Sequence, residues 1–324
     1  MLVRLKSICL AIALSCTATA HAQTFSLLAS WSENNTTAYM PGLQFKTNLE
    51  KASGGKMTLK ISGPEAVPPF EQLQPATSGA FDMLYTHPAY HSKGLAIAAE
   101  IVPFGVDRIR QSGVWGYIDS YYQKTHNLKI LSLVPVGTEG YHCYLRQPLS
   151  AQSDWNGRKL RGVPNQNGVI KALGGVPVVM PMGDVYSAIE KGVVDGACAP
   201  ANVLLATKHY EVAKYRVEPR FGLLVSLIAM NLDRWNKIAK EQQQMLTAVG
   251  VQTERDTARI GDEILERENK TLAGLGVQVL QLPPAKRDSL KSVWQTSNWE
   301  LINQCCGDAG KELHQIARKA KMAD

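Results

Sequence analysis

Short apolar runs rich in β-branched and aromatic residues recur along the chain, at 25–29 (FSLLA), 57–61 (MTLKI), 81–85 (FDMLY), 130–136 (ILSLVPV), 159–163 (KLRGV), 176–180 (VPVVM) and 223–230 (LLVSLIAM). Segments with helical spacing separate them. Strands alternating with helices predict an α/β fold whose strands run largely parallel. Gly54-Gly55 closes a helix before MTLKI, and Gly192 closes the segment 184–191 (DVYSAIEK) before VVDG. Glycine suits such stops because it accepts positive φ at little cost.

From 239 to 273, polar and apolar positions mix with helical period (Met245 and Val249, Ile260 and Ile264), and no proline intervenes. One helix there would run roughly 50 Å at ~1.5 Å per residue, longer than a small domain is wide. It is expected to span two lobes. Gly250 and Gly261 offer places to bend or break it, so a pair of helices stays open as the alternative. No repeat, low-complexity tract or linker interrupts the pattern, which fits lobes joined by crossing strands.

The length of 324 residues suits two domains with well-buried cores. The uninterrupted apolar stretch at the N-terminus falls short of the ~20 residues a spanning helix needs. Arg4 and Lys6 precede the apolar segment 8–16 (ICLAIALSC), and Ala20-His21-Ala22 offers a small-x-small cleavage site. Residues 1–22 therefore read as a secretory signal, with Gln23 first in the mature chain and the periplasm as destination. Lipoprotein processing at Cys16 is the rival, but Ala13-Leu14-Ser15 puts the bulky residue out of place for it.

Composition then narrows the class. With 45% hydrophobic and 19% charged residues the chain is globular, which excludes a disordered or fibrous protein. Loss of Arg4 and Lys6 with the leader lowers the formal net charge from +7 to +5. No run of Lys and Arg is dense enough to track a phosphate backbone, so nucleic acid is not expected, whereas a small anionic ligand is compatible. The mature cysteines are Cys143, Cys198 and the adjacent Cys305 and Cys306, in a compartment where disulfides persist. Adjacent cysteines rarely bond each other without strain. A Cys143–Cys198 bridge, a bridge from the adjacent pair to elsewhere, and idle thiols all stay open.

Several residues carry candidate chemistry. Arg161, in WNGRKLRGVPN, ends a short strand just before a Gly/Pro turn, where a guanidinium offers a rigid fork matching the two oxygens of a carboxylate. His87 and His91 (THPAYH) stand four apart, a metal-binding spacing on a helix, but Pro88 breaks that helix and no HExxH or CxxC framework accompanies them. No metal or cofactor is therefore expected. His87 reads better as a cleft residue at the carboxyl end of a strand. Tyr141, His142 and Cys143 bring a thiol beside an imidazole, but neighbours on a strand face opposite sides. GxSxG, Walker and dinucleotide-binding signatures are missing. Trp31, in SWSENN after the first mature strand, offers a ring to stack on a ligand or to cover the core edge.

Several separated segments together resemble the substrate-binding subunits of TRAP (tripartite ATP-independent periplasmic) transporters of the DctP type, over nearly the whole mature chain. They are ASGGKMTLKISGPE, FEQLQPATSGAFDM with its strand-opening Asp82, QPLSAQSDWNGRKLRGVPN, and ALGGVPVVMPMGDVYSAIEKGVVDGACAP. Each is weak alone, but their order and spacing are specific. The resemblance implies a two-lobed binding-protein fold with hinge strands crossing between the lobes. It implies a first lobe of 23–138 plus about 226–265, and a second of 139–225 plus about 266–324. In that family the arginine before the Val-Pro turn holds the ligand's carboxylate, which here is Arg161. Glu71 matches an acidic residue near the cleft, and Trp31 falls in a ligand-facing loop. The resemblance further implies cleft closure over an organic acid and delivery to a membrane permease driven by an ion gradient.

Two departures bear on the ligand. Many members carry Gln-Glu-Asn-Pro after Val-Asp-Gly, with the Asn touching ligand; here stand Ala197, Cys198, Ala199 and Pro200. Many also carry a second arginine where this chain aligns His142, a group whose charge would depend on pH. These losses, with Phe221 near a family His position, favour a small or apolar acid. A receptor of an ATP-driven or tricarboxylate-type transporter, and a secreted hydrolase or isomerase using His87 or Cys143, are the rival readings.

Overall fold

The computed structural model describes residues 22–101, 106–149 and 155–323. The signal segment and Cys16 lie outside the described residues. Eleven strands are described: β1 (Gln23–Ala29), β2 (Met57–Ser62), β3 (Met83–Thr86), β4 (Leu128–Pro135), β5 (Tyr141–Leu145), β6 (Lys159–Gly162), β7 (Val176–Val179), β8 (Gly196–Pro200), β9 (Tyr215–Phe221), β10 (Val225–Asn231) and β11 (Gln278–Gln281). They form two sheets, ordered β2-β1-β3-β10-β4 and β11-β9-β5-β8-β6-β7, each with helices packed on it. This is the expected two-lobed α/β arrangement.

The strands are less uniformly parallel than the pattern suggested. β1 runs parallel to β2 and β3, and β6 to β7 and β8, but β10 is antiparallel to both its neighbours and so is β5. The reason is the crossing. Residues 136–140 lead directly from β4 in the first sheet to β5 in the second, and residues 222–224 lead back from β9 to β10. No helix intervenes to return the chain, so each entering strand arrives reversed.

The long helix Lys240–Gly274 is unbroken over 35 residues. Its glycines serve close approach. A Cβ on Gly250 would lie 2.0 Å from the Leu131 carbonyl oxygen, and one on Gly261 would lie 2.2 Å from the Gly137 nitrogen. Leu246 and Val249 bury against the first sheet, whereas Leu272 joins a core cluster of the second. At the first crossing, Asp262 accepts hydrogen bonds from the Thr138 amide (2.6 Å) and hydroxyl. The helix is thereby pinned to the hinge.

The expected assignment of 266–324 to the second lobe needs correction. Within the helix Pro284–Cys306, Leu290 and Trp294 pack in the second lobe, but Trp299 and Ile302 enter the core of the first. The helix Asp308–Lys319 follows them, burying Leu313 and Ala317 there. The apolar stripe of that helix matches the first sheet's helical layer, so the chain crosses once more near its end.

Cys143 and Cys198 stand opposite each other in the β5–β8 register and are joined by a disulfide. Against expectation, Cys305 is joined to its neighbour Cys306. Among the described residues, no helix is long and apolar enough to cross a membrane.

Candidate functional site

Arg161 sits on β6, an interior strand of the second sheet between β7 and β8. Its side chain is 1% exposed. Nε donates to the Met180 carbonyl at 3.0 Å and Nη1 to the Cys198 carbonyl at 3.4 Å, while Nη2 has no partner. No ion pair joins Arg161 to a carboxylate among the described residues. A buried cation without a counter-ion is costly, and the chemistry of this guanidinium suits it to meet an anion.

Arg161 faces a narrow cavity between the two sheets, with a volume of about 30 Å³. From the first lobe come Trp31, Tyr85, His87 and Tyr90; from the second come Tyr141, Arg161, Met182 and Val203. The aromatic wall is packed ring on ring: Trp31 lies 4.9 Å from Tyr85 and 6.0 Å from Tyr90, whose far side meets Phe70 edge-on at 4.9 Å. Burial pushes the Tyr90 phenol's pKa up, opposed by the Arg161 guanidinium and the Trp31 indole. A largely apolar wall with one charged anchor is the usual make-up of a small-molecule site.

Behind this wall lies Glu100, 1% exposed. His87 Nδ1 accepts from the Ala89 amide (3.1 Å), so Nε2 carries the proton and donates to Glu100 Oε1 at 2.7 Å. The Tyr141 hydroxyl donates to Oε2 at 3.0 Å, Asn165 Nδ2 donates to the same oxygen, and the Val225 amide donates to Oε1 at 3.2 Å. The polar atoms of His87 and Tyr141 are thus engaged with Glu100 while both residues line the cavity. Burial, then the Glu100 carboxylate, raises the Tyr141 pKa well above the ordinary phenol.

Of the residues singled out in sequence, Arg161, Trp31 and His87 meet at this cavity. The other three do not line it. Glu71 is exposed beside a separate depression lined by His91 and His126. Phe221 packs at 6.0 Å on Tyr141 and 5.5 Å on Trp294, in the second lobe's core. His142 points to the opposite face of β5 from Tyr141, against Tyr144 at 5.7 Å, with both ring nitrogens unpartnered. Burial first, then Arg216 and Arg220, hold its pKa well below the ordinary imidazole. Asp82 is structural: it accepts from the Ser26 amide and pairs with Arg234 at 3.1 Å. His91 bonds Thr86, apart from His87, and among the described residues no three ligating groups gather for a metal.

Sequence reading passed over Tyr90 and Glu100. Tyr90 carries no motif. Glu100 had a signal, a lone carboxylate in the apolar run LAIAAEIV, because a charge in such a run is buried only with partners.

Comparison with known proteins fits this architecture. The model of the bacterial extracellular solute-binding protein family 7 (DctP) matches residues 28–303. The chain belongs to that family. Curated relatives include the uncharacterized protein YiiZ of Salmonella typhimurium, 27% identical over 105 residues, which are 32% of each chain. Another is the monocarboxylate 2-oxoacid-binding periplasmic protein of Nostoc, 26% identical over 225 residues, 64% of this chain and 59% of that one. The chain thus spans about a third of the first relative's length and under two thirds of the second's. Among solved structures, a TRAP transporter solute-binding protein from Bordetella bronchiseptica, described with copurified calcium and picolinate, superposes with a TM-score of 0.80 at 19% identity, covering 93% of this chain and 92% of that one. That likeness speaks to the fold.

Proposed function

We propose that this family 7 protein is a periplasmic receptor that closes over a small organic monocarboxylate and hands it, unchanged, to a TRAP membrane permease. The observation that carries the reading is Arg161: a fully buried guanidinium in an aromatic cavity between two lobes, with one nitrogen unpartnered and no acidic neighbour paired to it. A carboxylate supplies the missing charge and the acceptor in one group. The cavity's remaining wall is mainly rings and aliphatic side chains, which suits an acid with an apolar, oxo or aromatic body better than a sugar acid. The 2-oxoacid named for the Nostoc relative and the picolinate of the Bordetella structure are of this kind. Export by the signal segment and transfer to a permease without ATP follow from the family resemblance.

The rival catalytic reading finds little support. The Cys143 sulfur is held in a disulfide, and His142 lies outside the cavity with no hydrogen-bond partner. Native mass spectrometry of gently purified protein tests the proposal. The expected occupant is an acid released intact by unfolding; a neutral or cationic occupant, or conversion of the acid on incubation, would overturn it.

A further inference from the structure

Arg161 shares its cavity with a tyrosine of the opposite lobe. Tyr90 lies in the first lobe just after β3, Arg161 on β6 of the second, and both line the same cavity. The Tyr90 ring is gripped by Phe70, Trp31 and His87, with centroids 4.9, 6.0 and 5.4 Å away, and is 8% exposed. Burial raises the pKa of its phenol, and the Arg161 guanidinium and the Trp31 indole oppose that rise. Both of those groups are donors only, so each can use the phenol oxygen solely as an acceptor. The phenol's own proton is left over, and no hydrogen bond among the described residues takes it.

We infer that Tyr90 is a ligand-binding residue, whose hydroxyl donates to one oxygen of the bound carboxylate while Arg161 Nη2 donates to the other. This rests on the proposed carboxylate-receptor reading and deepens it. Lining one buried cavity, the phenol and the guanidinium can both donate to a single anion, and such bonds strengthen away from water. The arrangement also ties recognition to closure, because a carboxylate gripped by Tyr90 and Arg161 joins the lobes through its two oxygens. A neutral amide or ester cannot accept from both with full charge assistance, so the pair selects for the ionised acid.

The test is calorimetric titration of wild-type protein, refolded free of ligand, and of the variants Tyr90→Phe and Arg161→Lys, with picolinate, benzoate and 2-oxobutanoate as probes. Tyr90→Phe keeps the ring contacts and removes only the hydroxyl. Loss of a hydrogen bond to a charged group corresponds to a tenfold to hundredfold weaker Kd for the best probe. Picolinamide, which lacks the charge, should not discriminate wild type from Tyr90→Phe. If Arg161→Lys weakens binding and Tyr90→Phe does not, the Tyr90 assignment fails and the receptor reading stands. If no carboxylate binds wild type, or Arg161→Lys binds as well as wild type, the receptor reading fails and takes this inference with it.

Discussion

Replacing Arg161 by methionine should make the empty protein more stable and the receptor useless. Methionine fills most of the space of the arginine stem without its charge. Two hydrogen bonds to the Met180 and Cys198 carbonyls disappear, at about 1 kcal/mol each. Against this, the variant no longer buries a cation that lacks a counter-ion, a burden of several kcal/mol. The balance is a gain of about 1 to 3 kcal/mol, which for a chain of this length raises Tm by about 2 to 5 °C. Binding moves the other way. A buried carboxylate without its partner loses about 3 to 5 kcal/mol, more than a hundredfold in Kd. Scanning calorimetry on ligand-free protein reads the first effect, and isothermal titration with the best-bound monocarboxylate reads the second. A variant that melts below wild type when empty, yet keeps near-normal affinity, would show Arg161 to be a structural residue and refute the reasoning.

Two further outcomes follow from the long helix. Gly261→Ala would drive a methyl group into the Gly137 backbone, so it should cost more than 2 kcal/mol in urea unfolding, whereas Gly116→Ala, with nothing within 4 Å, should be neutral or slightly stabilising; equal effects would mean the hinge contact is not tight. Glu268 on the same helix is 2% exposed, and burial raises its pKa to about 7 against the pull of the Leu204 and Leu205 amides, Arg216 and Arg220. Because the folded pKa lies above the unfolded one, its contribution is fully present below about pH 4.5 and is lost as pH rises through 7, on the order of 3 kcal/mol. Glu268→Gln should flatten the stability profile over that window and exceed wild type at pH 8; a parallel profile would contradict the buried, protonated carboxyl.

How much of this was legible depends on whether a residue's neighbours are local. β1, β3 and β4 lie in largely apolar runs and β2 alternates apolar with polar, so these strands were visible, as was the long helix, whose period survives Gly250 and Gly261 because both face backbone rather than solvent. β8 and β9 were missed: GACAP is small and YRVEPRF is half polar, and each is a strand because β5 lies beside it. Arg161 could be picked out because the motif around it marks a strand end. His142 could not be placed, since one step along β5 turns a side chain from the cavity face to the opposite one. Glu71 matched a pattern, yet the loop carries it to another surface. Glu100 left a trace as a lone carboxylate in an apolar run, but its partners and the neighbours of Tyr90 come together only where the two lobes meet.

On the proposed reading, the residue that binds the acid also sets the cost of closing without it. Across the cleft, Tyr141 and Asn165 of the second lobe donate to Glu100 of the first, contacts that favour the shut form with or without ligand. Closing also withdraws the Arg161 charge from water, and with no anion inside that term opposes the Glu100 contacts. A ligand can shift the equilibrium only by the difference in its affinity for the two forms. Here that difference is largest for a carboxylate, because it turns the burial of Arg161 from an opposing term into a favourable one. A neutral molecule of equal size fills the cavity and gains apolar contact but leaves the guanidinium unpaired. On that reading, selectivity for an anion and coupling to closure are one electrostatic effect, seated in the second lobe and felt by both.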